Sequence, residues 1–98
     1  MIRVRIPYHL QVLAKTDREV IVNLEGDVTL GEVLDALEKE HPVLRGAIRG
    51  MEDGQRRPFL RYFACGEDVS HEGPAFILPE SIQTGEEPFR VIGAMAGG

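Results

Sequence analysis

Cysteine is nearly missing from this chain. Cys65 stands alone, so no disulfide can form within one molecule, and a reducing cytosol is the expected compartment. Long apolar runs are missing too, and nothing approaches the roughly eighteen residues of a membrane span. The opening MIRVRIPYHL breaks its apolar residues with Arg3 and Arg5 and carries no cleavage pattern, so no signal peptide is expected. Positive charge is not in excess. A formal net charge of −5 argues against a general nucleic-acid binder. His9, His41 and His71 are isolated and lack the paired spacing of a zinc site, so no metal is expected. No nucleophile stands beside a base at a catalytic spacing, and Gly50 and Gly54 are too sparse for a phosphate-cradling loop. The length of 98 residues predicts one domain, 1–98, near the lower end of what a single core stabilises without cross-links.

What is present is a sequence of well-marked periodicities. In MIRVRIP, Ile2, Val4 and Ile6 alternate with Arg3 and Arg5, the pattern of a half-buried strand that ends at Pro7. REVIVNL, Arg18 to Leu24, is a second strand-like run. The polar KTDR before it reads as a turn, so the two runs predict a hairpin. GDVTLGEVLDALEKEHP predicts a helix. Thr29 is a suitable N-cap and Glu32 completes a capping box. Leu30, Val33, Leu34 and Leu37 form one apolar stripe, Asp35 can pair with Lys39 one turn on, and Pro42 stops the helix at or before His41.

The next stretch, VLRGAIRGMEDGQRR, holds three glycines and reads as a long, partly mobile connection over 43–58. PFLRYFACGED is a third strand, with Leu60, Tyr62 and Ala64 on one face and Phe59, Arg61, Phe63 and Cys65 on the other. GED then turns the chain. AFILPESIQTGEE suggests a brief strand, a short turn and a loop to Gly85, and PFRVIGA is the last strand, with Phe89 and Val91 opposite Arg90 and Ile92. The helix stripe should pack on one face of the sheet, against Ile2, Val4, Ile6, Val20, Val22, Leu60, Tyr62, Phe89 and Val91.

The chain then ends in AMAGG. Taken with VRIP, the GDVTLGEVLDALEKEHP helix, the GED turn and TGEE before the last strand, this ending resembles the β-grasp sulfur carriers of the MoaD/ThiS family, relatives of ubiquitin. The resemblance covers essentially the whole chain. The form with an extended segment after the helix looks most like the carrier of a cysteine-synthesis route. Departures are Ala64-Cys65 where the family often has Val-Asn, Gly93 where it has proline and Met95 where it has valine.

The resemblance implies an α+β, ubiquitin-like β-grasp fold, with a mixed sheet of four to five strands, one main helix on one face and a flexible tail over 94–98. It implies a carrier, not a catalyst. A partner, an E1-like adenylyltransferase using ATP and magnesium, would adenylate the carboxylate of Gly98. A sulfur donor would displace AMP, and the thiocarboxylate would pass sulfur to an accepting synthase. Gly97 and Gly98 suit a narrow channel, because a tail without side chains is thin and adopts almost any φ and ψ. The strand order implied by the resemblance places Arg3, Arg5, Arg90, Ile92, Arg61, Phe59 and Phe63 together on the face away from the helix. Exposed aromatics among arginines are a docking composition, so Phe59, Arg61, Phe63, Ile92 and Met95 are the expected partner contacts. Glu25, Asp27, Glu32, Asp35, Glu38 and Glu40 are expected on or near the helix side. No cofactor, nucleic acid or membrane is expected to bind the free chain, which is expected to be a cytoplasmic monomer. Cys65 reads as a small buried hydrophobe. Three alternatives stay open: a ubiquitin-like modifier joined to lysines through Gly98, the small subunit of a molybdopterin-synthase-type complex, and a β-grasp binding module with idle glycines.

Overall fold

The computed structural model describes residues 1–93. The five strands are β1 (Ile2–Arg5), β2 (Glu19–Val22), β3 (Leu60–Ala64), β4 (Glu67–Asp68) and β5 (Phe89–Gly93), and the three helices are α1 (Tyr8–Ala14), α2 (Leu30–Glu40) and α3 (Glu80–Gln83). The strands form one mixed sheet in the order β2-β1-β5-β3-β4, with β1 and β5 parallel at its centre and the other pairings antiparallel. This is the β-grasp arrangement.

The main helix forms where capping, stripe and proline predict it. The Glu32 N–H donates to Thr29 Oγ1 at 3.2 Å, and the Thr29 N–H donates to Glu32 Oε1 at 3.0 Å, which satisfies two otherwise orphaned donors. Leu30, Val33, Leu34 and Leu37 turn inward and are buried. They meet the inward sides of the strands, and Ile2, Val4, Leu60 and Phe89 are completely shielded from solvent. Gly31 is buried because the loop after β4 crosses the start of α2. A Cβ there would lie 2.9 Å from that of Pro74, and the Gly31 N–H donates to the Pro74 carbonyl at 2.9 Å.

Three expectations need correction. The connection from β1 to β2 is not a plain hairpin turn but contains α1. Pro7 occupies its N-cap position, and Leu10 is buried with Ala14 packed beside the core. Lys15, in the left-handed region at φ 54°, closes the helix with its N–H on the Gln11 and Val12 carbonyls. The segment 43–58 is not a loose connection. After a 3₁₀ turn, Pro42–Leu44, it buries Leu44 and Ile48, and an isolated bridge joins Arg49 to Arg56. Asp35 does not pair with Lys39 but with Arg49, whose Nε also donates to Glu38 at 2.9 Å. The guanidinium reaches both carboxylates because the packed segment brings it over the solvent side of α2. The hydrogen bond to Glu38, more than that to Asp35, holds it protonated well beyond its ordinary value.

Candidate functional site

The alternation of β1, β5 and β3 sends one set of side chains to the core and the other to an open sheet face. On that open face the register builds one row across all five strands: Glu19, Arg5, Arg90, Phe63, Asp68. Its ends are acidic and its centre is basic. Glu19 accepts from Arg5 Nε at 3.2 Å, and Asp68 pairs with Arg61 at 3.1 Å. The Asp68 carboxyl is held below its usual range first by the Ser70 hydroxyl and backbone, then by Arg61. Arg90 stands between Arg5 and Phe63 with no ion pair among the described residues.

Of the expected partner contacts, Phe59, Arg61 and Ile92 are exposed and Phe63 is half-buried, all on this face or at its end. Met95, Gly97, Gly98 and the tail 94–98 lie outside the described residues. The segment 43–58 does not fold over this face, because Leu44 and Ile48 anchor it in the core on the helix side. Arg3 stands on the open face as expected, where its Nη1 donates to the Glu19 carboxylate at 3.3 Å beside Arg5. Its Nε donates to the Gly85 carbonyl at 2.8 Å and its Nη2 to the Glu86 carbonyl at 2.9 Å, which ties the turn before β5 to β1. Glu25, Asp27, Glu32, Asp35 and Glu40 are exposed.

Cys65 corrects the sequence reading. It is exposed, at φ 52°, beside Gly66 at φ 80°. Two consecutive positive φ values between β3 and β4 are the signature of a tight hairpin turn, so the alternation of β3 stops one residue earlier and Cys65 leaves the sheet. Its Sγ shares a hydrogen bond with Ser81 Oγ at 3.0 Å.

The feature that sequence reasoning missed is a groove of about 530 Å³ at the end of β5. One wall is the β1–α1 corner, Pro7, Tyr8 and His9; the other is Arg90, Ile92 and Gly93, with Arg18 and Phe59 alongside. The His9 and Phe59 rings meet at 6.0 Å between centroids, tilted by 56°. Tyr8 is 76% exposed, Phe59 38% and Ile92 39%. The helix that makes this corner left no clear signal: Leu10 and Ala14, four apart after Pro7, suit one face of a helix and one face of a strand alike. Among the described residues no group of three His, Cys, Asp or Glu is placed to hold a metal, and no helix is long and apolar enough to cross a membrane.

No protein-family model matches the chain. Small archaeal modifier protein 1 of Haloferax volcanii is 34% identical over 70 residues, 71% of this chain and 71% of that protein. Among solved structures, SAMP1 from Haloferax volcanii superposes with a TM-score of 0.75 at 25% identity, covering 99% of this chain and 98% of that one. CysO of Mycobacterium tuberculosis gives a TM-score of 0.75 at 23% identity, covering 97% and 100%. A chain of the Amycolatopsis orientalis BexX/CysO complex gives 0.74 at 21%, covering both chains fully. These last two show the shared fold. The strand order, the capped helix on one face and the modifier relative matched across most of its length agree: the chain belongs to the MoaD/ThiS-type family of ubiquitin-like small modifier and sulfur-carrier proteins.

Proposed function

We propose that this chain is a sulfur carrier that works through the carboxylate of Gly98. The observation that carries the reading is the Gly97-Gly98 pair on a chain of this family. An E1-like adenylyltransferase binds ATP and magnesium; this chain supplies only the carboxylate. A Gly98 oxygen attacks the α-phosphorus and pyrophosphate leaves. A sulfur nucleophile then adds to the acyl carbon and AMP leaves, giving a thiocarboxylate. An accepting synthase takes the sulfur into cysteine or a cofactor. No acid or base of this chain is required, because the partner holds the reacting phosphate. The exposed arginine and aromatic side chains of the open face position the carrier on its partners, and the glycine tail enters their active sites.

A second reading is favoured by the relative, which is named a modifier protein. The same activated carboxylate, given to a lysine amine of another protein, forms an amide. Intact mass after incubation with host cytosolic extract, ATP and a sulfide source separates the two. One oxygen replaced by one sulfur, lost when Gly98 is deleted, supports the carrier. Conjugates of higher mass, also lost on that deletion, support the modifier. An unchanged mass with a competent adenylyltransferase present would refute both.

A further inference from the structure

The groove at the end of β5 has a composition at odds with the rest of the molecule. The chain holds sixteen Asp and Glu residues against eleven Lys and Arg, yet no carboxylate lines this groove, and three arginines do: Arg5, Arg18 and Arg90. Arg5 shares the single Glu19 carboxylate with Arg3, at 3.2 and 3.3 Å. Arg18 and Arg90 are exposed and make no ion pair among the described residues. Between these cations the surface is apolar and aromatic, from Pro7, Tyr8, Phe59 and Ile92. By contrast, a second hollow beside the start of α2 sets Arg49 and Arg56 against Asp53 and Glu72, so its charge is already compensated.

From this we infer that the groove is a docking site for a protein segment in which an apolar or aromatic side chain is flanked by carboxylates. The apolar side chain enters between Tyr8, Phe59 and Ile92, and the carboxylates meet Arg18 and Arg90. Charge-assisted bonds from guanidinium to carboxylate are about twice as strong as neutral ones, and cations without an ion pair among the described residues lose little by donating them. Nucleic acid fits less well, since one groove of three arginines on a net acidic molecule offers no track for successive phosphates. The groove borders Gly93, the last described residue before the tail, so a partner that takes the tail is in reach of it. Only the identity of that partner, the activating enzyme, rests on the function proposed above; the chemistry of the groove does not.

The test is a backbone-amide titration of the full ¹⁵N-labelled chain with two peptides of equal length. One carries leucine and tryptophan among aspartates and glutamates; in the other, lysines replace the acids. The acidic peptide is expected to shift Tyr8, His9, Arg18, Phe59 and Ile92, and to bind roughly tenfold more weakly to the double variant Arg18→Gln/Arg90→Gln. Arg45→Gln, the same change at an exposed site elsewhere, should leave affinity unaltered. Equal shifts from both peptides, no shift from the acidic one, or undiminished binding to the double variant would overturn the inference. In parallel, pyrophosphate exchange by the host adenylyltransferase should show a raised KM at unchanged kcat for the double variant, and an unaltered KM removes the activating enzyme as the occupant. If the unsubstituted chain supports no exchange, the activation reading fails and the peptide titration alone judges the groove.

Discussion

Gly85 sits at φ +85°, and a methyl group in its place would approach the Met1 carbonyl oxygen to 2.9 Å. Arg3 holds the same turn from the other side through the Gly85 and Glu86 carbonyls. Neither the backbone angle nor the neighbouring strand can yield without moving the entry to β5. Gly85→Ala is therefore expected to cost about 1–3 kcal/mol, read as a lower urea midpoint at unchanged slope. A midpoint within error of the parent would show that the turn relaxes freely. The TGEE stretch was legible as a loop, but its tie to Arg3 was not: those hydrogen bonds span 82 and 83 positions, beyond the reach of any local pattern. Cys65 was misread for a related reason. Alternation along β3 predicted its side, but the two positive φ values that end the strand there come from the pairing of β3 with β4.

Among the elements, β3 carries a titratable group into the core. Tyr62 is buried against Phe89, with ring centroids 5.9 Å apart. Burial pushes its hydroxyl up from 10.0 to about 12, against the opposing pull of Arg49 and Arg56. In the unfolded chain the phenol ionises near its ordinary value, while in the folded chain it stays neutral. This contribution to stability is complete below about pH 10 and is lost as pH rises toward 12. The loss is on the order of 2 kcal/mol. Urea midpoints measured across that window should fall less steeply in Tyr62→Phe than in the parent, and parallel slopes would contradict the assignment. The elements were unequally legible. α2 announced itself through cap, stripe and stop, three independent signals. α1 has seven residues, with Leu10 its only fully buried one, too short a run for a periodicity to rise above a polar turn. The 43–58 segment hid its anchors, Leu44 and Ile48, on either side of Gly46, which takes φ +81° to let both face the core.

For the molecule as a whole, the acidic total conceals a segregation. Glu25, Asp27, Glu32, Asp35 and Glu40 are exposed on and around α2, while the middle of the open sheet face holds Arg5 and Arg90 side by side. Arg61→Glu, made at the half-exposed edge of that face, is expected to raise the KM for activation several-fold, mainly by slowing encounter, and more at low salt than at high. Circular dichroism should confirm that the sheet persists. Activation kinetics that do not change would place docking elsewhere. The pairing of β1, β5 and β3 followed from the implied β-grasp, and with it came Phe59, Arg61, Phe63 and Ile92. The groove did not, because its other wall belongs to the unforeseen α1.

That cationic surface has a further chemical quality. Of the eleven basic residues only Lys15 and Lys39 are lysines, and neither borders the groove; Lys39 lies on α2, across the sheet. A lysine amine loses its proton within reach of biological pH and attacks activated acyl groups, whereas a guanidinium stays charged and inert. With activation at Gly98 as proposed, the surface around Gly93 attracts carboxylates without offering a lysine amine that would capture the acyl end as a stable amide. Arginine there would leave an activated end unspent on its own chain.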